Sequence, residues 1–371
     1  MTSYKIVDAD AHMCEPPNLW AERLDKQFKD RAPRVIKDFN GQKGEFFVVD
    51  QQNNMRVAGV FAAGKTFDEK FMELGLESAP PGGWDPAARL KDMELDNVEC
   101  AVLYTTFGFA LFRIEDPKLQ EACFRAYNDW MGEFVSYAPD KFAGLALIPL
   151  YDPDAGAAEL ARCKKLGLKG ALIWAAPPED RPYHLPIYDR LWATAQELDM
   201  PLSLHLGTAR RDTMAERDRA ILYTRLVART LDVQNTVLTI IFGGVLERFP
   251  RLKLVSAEND IGWVPFLMER ADKYYRRWSK GYTIDLSLKP SEYFARNIYA
   301  TFIDDAEGLR TYRHIPAGVN NFMWSTDYPH QAATWPHSSE FLERDFKAVP
   351  DEDRRKIVRD NAVKLYGFPV Q

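Results

Sequence analysis

Cysteine is scarce in this chain. Four residues in 371, Cys14, Cys100, Cys123 and Cys163, lie far apart with no C-x-x-C pair among them. That excludes a disulfide-stapled scaffold and points to a reducing compartment, with thiols serving as small core hydrophobes. Basic runs are missing as well. Lys and Arg number 48 against 54 Asp and Glu, a formal charge of −6, so no positive stripe is present to meet nucleic acid. No apolar run is long enough to cross a bilayer. The N-terminus carries charge where a signal segment would be apolar. Together these absences describe a cytoplasmic protein with neither a nucleic-acid nor a membrane partner. A Gly-rich phosphate turn after the first strand is lacking too, which counts against an open dinucleotide-binding sheet.

What is present is an alternation. Short Val/Ile/Leu-rich runs at residues 6–12, 99–106, 142–150, 170–174, 201–207, 252–259, 297–303 and 321–327 read as strands buried on both faces. Helix-period segments fall between them, at 117–138, 154–166, 185–198 and 261–275, with Asp152 or Asp154 able to cap the second. Strand–helix alternation repeated eight times predicts an α/β fold, a (β/α)8 TIM barrel, forming one domain over residues 1–371. Two stretches exceed the minimal barrel. Residues 13–96 form a long insertion after strand one, with a β-hairpin from 45–50 and 55–61. Residues 208–250 form a helical insertion after strand five. Both leave from strand C-termini, so both overhang the mouth where barrel enzymes keep their sites. Residues 351–366 read as a closing helix ended by Gly367.

The chemistry starts on strand one. Asp8, Asp10 and His12 share a parity, so all three face the same way. Facing inward, they would cost several kcal/mol (about 3 or more) unless paired or bound to a cation. His205 ends the fifth apolar run and Asp327 ends the eighth. Strands one and eight are neighbours in a closed barrel, and strand five reaches in from across the mouth. Asp10, His12, His205 and Asp327 are therefore the expected ligands of one divalent metal ion. Mixed N/O donors suit Zn2+ first, with Mn2+ or Fe2+ as alternatives.

In order along the chain, these motifs resemble the amidohydrolase superfamily, in the branch of aminocarboxymuconate semialdehyde decarboxylase and the dihydroxybenzoate decarboxylases. The resemblance rests on Asp10-x-His12, His205, Ser325-x-Asp327-Tyr328-Pro329, the Phe249-Pro250-Arg251 approach to strand six, and the closing segment through Asn361 and Tyr366. It implies a metal-dependent enzyme on a small-molecule substrate, working as a homodimer. The first-strand pair is usually H-x-H or E-x-H, so Asp10 is a variant. The family's decarboxylases carry a catalytic His before a Gly-Gly pair. Here Phe242 precedes Gly243 and Gly244, which leaves that acid/base group without an occupant.

The expected reaction is hydrolysis by metal-activated water of a small aromatic or planar carboxylate, amide or ester. The alternatives are non-oxidative decarboxylation of an aromatic or unsaturated acid, and a non-catalytic binding barrel. Asp327, His330 and Glu258 are the acid/base candidates. His330 either orients Asp327 or sits in a capped loop, and Glu258 either meets substrate or pairs with an arginine. Arg210 is a candidate carboxylate clamp. Phe107, Phe109, Phe242 and Trp174 are candidates for an aromatic wall, or for packing beneath the insertions.

Overall fold

The computed structural model describes residues 4–50, 53–58, 60–65, 74–209 and 218–370. Eight parallel strands form one sheet in the order β1 (Ile6–His12), β5 (Val98–Tyr104), β6 (Phe142–Leu147), β7 (Gly170–Ile173), β8 (Leu202–His205), β9 (Leu254–Ala257), β10 (Ile298–Phe302) and β11 (Phe322–Trp324). Neighbouring pairs keep parallel register, as His12 opposite Tyr104 and His205 opposite Ala257 illustrate. The seam between the outer strands closes at the mouth. The Asp327 N–H donates to the Asp10 carbonyl at 3.1 Å, and the His12 N–H donates to the Tyr328 carbonyl at 2.6 Å. The architecture is the TIM barrel that the alternation predicts.

Helices wrap the barrel because each carries one apolar face. Three of them open on the same dipeptide. Asp85-Pro86, Asp116-Pro117 and Asp152-Pro153 place a carboxylate cap on free N–H groups of the first turn and a proline where no N–H is needed. Asp152 rather than Asp154 is thus the cap. The helix after β9 runs Trp263–Tyr282, longer than expected. The closing segment is helix Asp351–Arg355, a wider turn over Lys356–Asp360 and helix Asn361–Tyr366. Gly367 ends it at φ 64°, a left-handed cap that favours glycine. Among the described residues no helix is long and apolar enough to cross a membrane.

The insertion after β1 holds a three-stranded antiparallel sheet, β2 (Arg34–Phe39), β3 (Gln42–Val49) and β4 (Asn53–Arg56). The expected hairpin corresponds to β3 and β4, although β4 stops at Arg56 and does not reach 61. β2 escaped sequence reading. Its Arg-Val-Ile-Lys-Asp-Phe run is charged, with half of it exposed and none of it fully buried. Asn40 and Gly41 join it to β3 with φ of 52° and 75°, the two positive values that a tight hairpin turn requires. Phe47 of this sheet stacks on Phe107 at 4.4 Å and packs on Trp20. The insertion is thereby continuous with the barrel's apolar core.

Candidate metal centre

All the polar strand residues that converge at the mouth come from C-terminal strand ends. β1 supplies Asp10 and His12, β8 supplies His205, and the turns after β9 and β11 supply Glu258 and Asp327. Small Ala9 and Ala11 take the outward positions of β1, which lets helices close over it while the acidic parity faces in. Glu258 and Asp327 both adopt left-handed backbone, φ 55° and 60°. Non-glycine residues rarely hold that conformation unless their surroundings enforce it, and such strain gathers at functional sites.

The distances are short. His12 Nε2 lies 3.4 Å from Asp10 Oδ1 and 3.3 Å from Asp327 Oδ1. His205 Nε2 lies 3.6 Å from Asp10 Oδ1 and 3.2 Å from Glu258 Oε2. Two overlapping trios, Asp10–His12–His205 and His12–Asp327–His330, have their donor atoms within 4.8 Å of one another. Asp10 Oδ1, His12 Nε2 and His205 Nε2 are buried and have no hydrogen-bond partner. Each orphan of that kind costs about 1–3 kcal/mol. Three orphans aimed at one point, with two nitrogen and two carboxylate donors around it, fit a divalent cation.

The remaining atoms of these groups are held. The His12 Nδ1–H donates to the Thr105 carbonyl at 2.8 Å, leaving the Nε2 lone pair for the centre. Thr301 Oγ donates to Asp10 Oδ2 at 2.9 Å and accepts from the Glu258 N–H at 2.8 Å, so one hydroxyl ties the Asp10 carboxylate to the Glu258 backbone. His205 Nδ1 accepts from the Gly207 N–H at 3.0 Å, which puts the proton of the neutral ring on Nε2. To offer the Nε2 lone pair to a cation, His205 would carry its proton on Nδ1 instead, with loss of the Gly207 hydrogen bond. His330 donates from Nδ1 to Asp327 Oδ1 at 2.8 Å and faces Thr106 Oγ with Nε2 at 2.9 Å, its ring stacked 3.9 Å from His12. Of its two expected settings, His330 occupies the one that orients Asp327. Asp8, one layer deeper, accepts from the Thr326 N–H and hydroxyl.

Crowding so many ionisable groups shifts them. Burial raises the Asp10 carboxyl, but His205 and His12 outweigh it and hold Asp10 below the usual range. Burial, then Asp10 and Asp8, push Asp327 well above it. Burial, then Asp327, raise Glu258 to about 8. Burial, then a neighbouring imidazole, drive His12 well down and His330 to about 3. Without a cation the site carries more carboxylate than it can keep ionised, and a bound divalent ion reverses that balance.

A profile of the amidohydrolase family matches residues 7–368. The chain belongs to the amidohydrolase family. Among curated relatives, the γ-resorcylate decarboxylase of a Polaromonas species is 28% identical over 290 residues, 75% of this amidohydrolase and 86% of the relative. Among solved structures, an amidohydrolase from Mycobacterium avium subsp. paratuberculosis superposes with a TM-score of 0.81 at 23% identity, over 99% of this chain and 100% of that one. A dihydroxybenzoic acid decarboxylase from Polaromonas, holding manganese and 2-nitroresorcinol, gives 0.66 at 20% identity over 99% and 98%. This amidohydrolase is accordingly a metal-dependent enzyme, either a hydrolase or a carboxy-lyase.

The aromatic wall needs correction. Phe109 does reach the centre, stacked on His205 at 4.4 Å and edge-on to His12 at 5.7 Å. Gly207 permits this, since a Cβ there would lie 2.7 Å from the Phe109 ring. Phe107 instead packs between Phe47 and Phe61 beneath the insertion sheet. Trp174 is buried at the end of β7 against Tyr151, with its Nε1–H donating to the Phe112 carbonyl at 3.3 Å. Phe242 is not at the mouth. It ends helix Thr230–Phe242 on the outside of the barrel. There it lines an outer groove with Tyr274, Tyr275, Trp278, Tyr282 and Ile284. The acid/base position supposedly emptied by Phe242 is therefore not part of the centre, and the carboxyl group beside the ligands is Glu258. Arg210 lies outside the described residues. Sequence reading missed Thr301, Thr105 and Thr106, since single hydroxyls in apolar runs carry no spacing signal. It also missed Glu15, three residues past His12.

Proposed function

We infer that this amidohydrolase is a non-oxidative decarboxylase of a planar aromatic acid, with Asp10, His12, His205 and Asp327 holding one divalent ion. The observation that carries the reading is the placement of Glu258. Its carboxyl lies 3.2 Å from His205 Nε2 and keeps 29% exposure, so it borders both the ligands and the open mouth. The decarboxylase names of the relatives move decarboxylation ahead of hydrolysis. Manganese moves ahead of zinc because the Polaromonas structure holds manganese.

When bound, a divalent ion supplies Lewis-acid anchoring of anionic substrate oxygens and neutralises their charge. The chain's own groups do the rest. Phe109, fixed on His205, offers an apolar face to a flat ring. Glu258 delivers a proton to the ring carbon that bears the carboxylate. The bond to the carboxylate carbon then breaks, its electron pair returns to the ring, and CO2 departs. Asp327, oriented by His330 Nδ1–H, keeps Oδ1 within 3.3 Å of His12 Nε2. Four free, buried cysteines support a reducing, cytoplasmic setting. The homodimer implied by family resemblance is retained, with sedimentation velocity as its test.

The test is turnover of 2,6-dihydroxybenzoate and related hydroxybenzoates by manganese-loaded protein in D2O. Decarboxylation releases CO2 and leaves one deuterium on carbon. Product carrying oxygen from labelled water and no CO2 would return the assignment to hydrolysis.

A further inference from the structure

Glu15 is fully buried, yet it touches none of the proposed ligands. Its carboxylate faces one short segment, the turn that follows β5. Oε1 accepts from the Thr105 hydroxyl, from the Thr106 N–H at 3.0 Å and from the Gly108 N–H at 3.4 Å, and Oε2 accepts from the Phe107 N–H at 2.9 Å. Three successive backbone N–H groups thus converge on one carboxylate in a concave nest, and for Thr106 and Phe107 it is the acceptor that a buried N–H needs. The Thr105 hydroxyl is shared, because it also accepts from the Gly108 N–H at 2.8 Å.

The gripped residues are the ones that meet the two site imidazoles. The Thr105 carbonyl takes the His12 Nδ1 proton at 2.8 Å, and Thr106 Oγ meets His330 Nε2 at 2.9 Å. Phe109, next in the same turn, stacks on His205. We propose that Glu15 is a positioning residue for the metal centre: by clamping residues 105–108 it fixes the His12 tautomer that presents Nε2 and the His330 orientation that supports Asp327. This rests on the ligand set proposed above. A purely structural clamp would stabilise the chain without affecting how well the centre holds a cation, and that difference can be measured.

The experiment compares wild type with E15Q and E15D, purified metal-free, for folding by circular dichroism and for manganese binding by equilibrium dialysis. A glutamine carries an NH2 where one of the converging N–H groups needs an acceptor, so the turn shifts and His12 loses its fixed carbonyl partner. Folded E15Q is expected to bind manganese 10- to 100-fold more weakly, the usual effect of losing such support. E15D, which keeps the anion on a shorter arm, should fall between E15Q and wild type. If E15Q does not fold, E15D decides alone: about tenfold weaker binding supports the proposal, and wild-type binding overturns it. Folded E15Q with a dissociation constant within twofold of wild type also overturns it. Failure of wild type itself to bind manganese would instead sink the ligand assignment.

Discussion

Replacing His205 with alanine separates a metal centre from an ordinary buried imidazole. The ring is fully enclosed, stacked on Phe109 at 4.4 Å and edge-on to His12 at 5.2 Å. Truncating a side chain of this size in a core costs about 2–5 kcal/mol. The same change removes the orphaned Nε2, whose burial costs about 1–3 kcal/mol. Metal-free H205A should therefore lose only about 1–3 kcal/mol against metal-free wild type. The larger contrast comes on adding manganese. At a hundredfold excess over its dissociation constant, a ligand stabilises the native state by about 2.7 kcal/mol. In a chain of 371 residues that amounts to roughly 3–4 °C in Tm. Scanning calorimetry in EDTA and then in manganese should show the rise in wild type and none in H205A. Turnover should fall below detection in the variant. One manganese per chain in H205A, with the same rise in Tm, would refute the reasoning.

E258Q should keep manganese affinity within a few-fold while kcat falls by about 10²–10⁴, the range for loss of a general acid; unchanged kcat would remove Glu258 from the chemistry. F242L should leave kcat and KM near wild type, because Phe242 lines an outer groove away from the ligands; a large loss of kcat would reinstate it. Stability should also depend on pH through Asp96, whose carboxyl is buried, accepts from the Ser338 N–H at 2.9 Å, and is raised by burial to about 6. A folded-state pKa above the unfolded value means that the native chain binds the proton more tightly. The contribution is full below about pH 4 and is lost as pH rises through 6, at up to about 3 kcal/mol for two pKa units. D96N, which mimics the protonated form, should be more stable than wild type at pH 8 and equal to it near pH 4; a pH-independent difference in Tm would contradict this.

Much of the barrel was legible because its strands are continuous apolar runs, where a buried parallel sheet leaves little room for anything else. The convergence of the proposed ligands was legible for the complementary reason. Asp10, His12, His205 and Asp327 are polar residues at the ends of such runs, and the order of strands in a closed barrel brings them together. Side chains that depend on loop paths were not legible. Phe107 and Phe109 are two residues apart, yet one lies under the insertion sheet and the other on His205, because a helical turn separates their directions. Phe242 was misplaced by reading a Gly-Gly pair as a site marker, when its side chain lines an outer groove with Tyr274 and Trp278. β2 was missed although Asn40-Gly41, a strong hairpin signal, stood beside it. Its charged sequence hid the strand, since alternation is weak where neither face is fully buried.

The central claim is that one cation draws β1, β8 and the turn after β11 together. Crystals of wild type grown with manganese, measured at a wavelength that gives manganese anomalous scattering, test it most directly. One anomalous peak bonded to Asp10, His12, His205 and Asp327, at full occupancy, is the expected result. An ordered centre with no peak there, or a peak held by other residues, would contradict it.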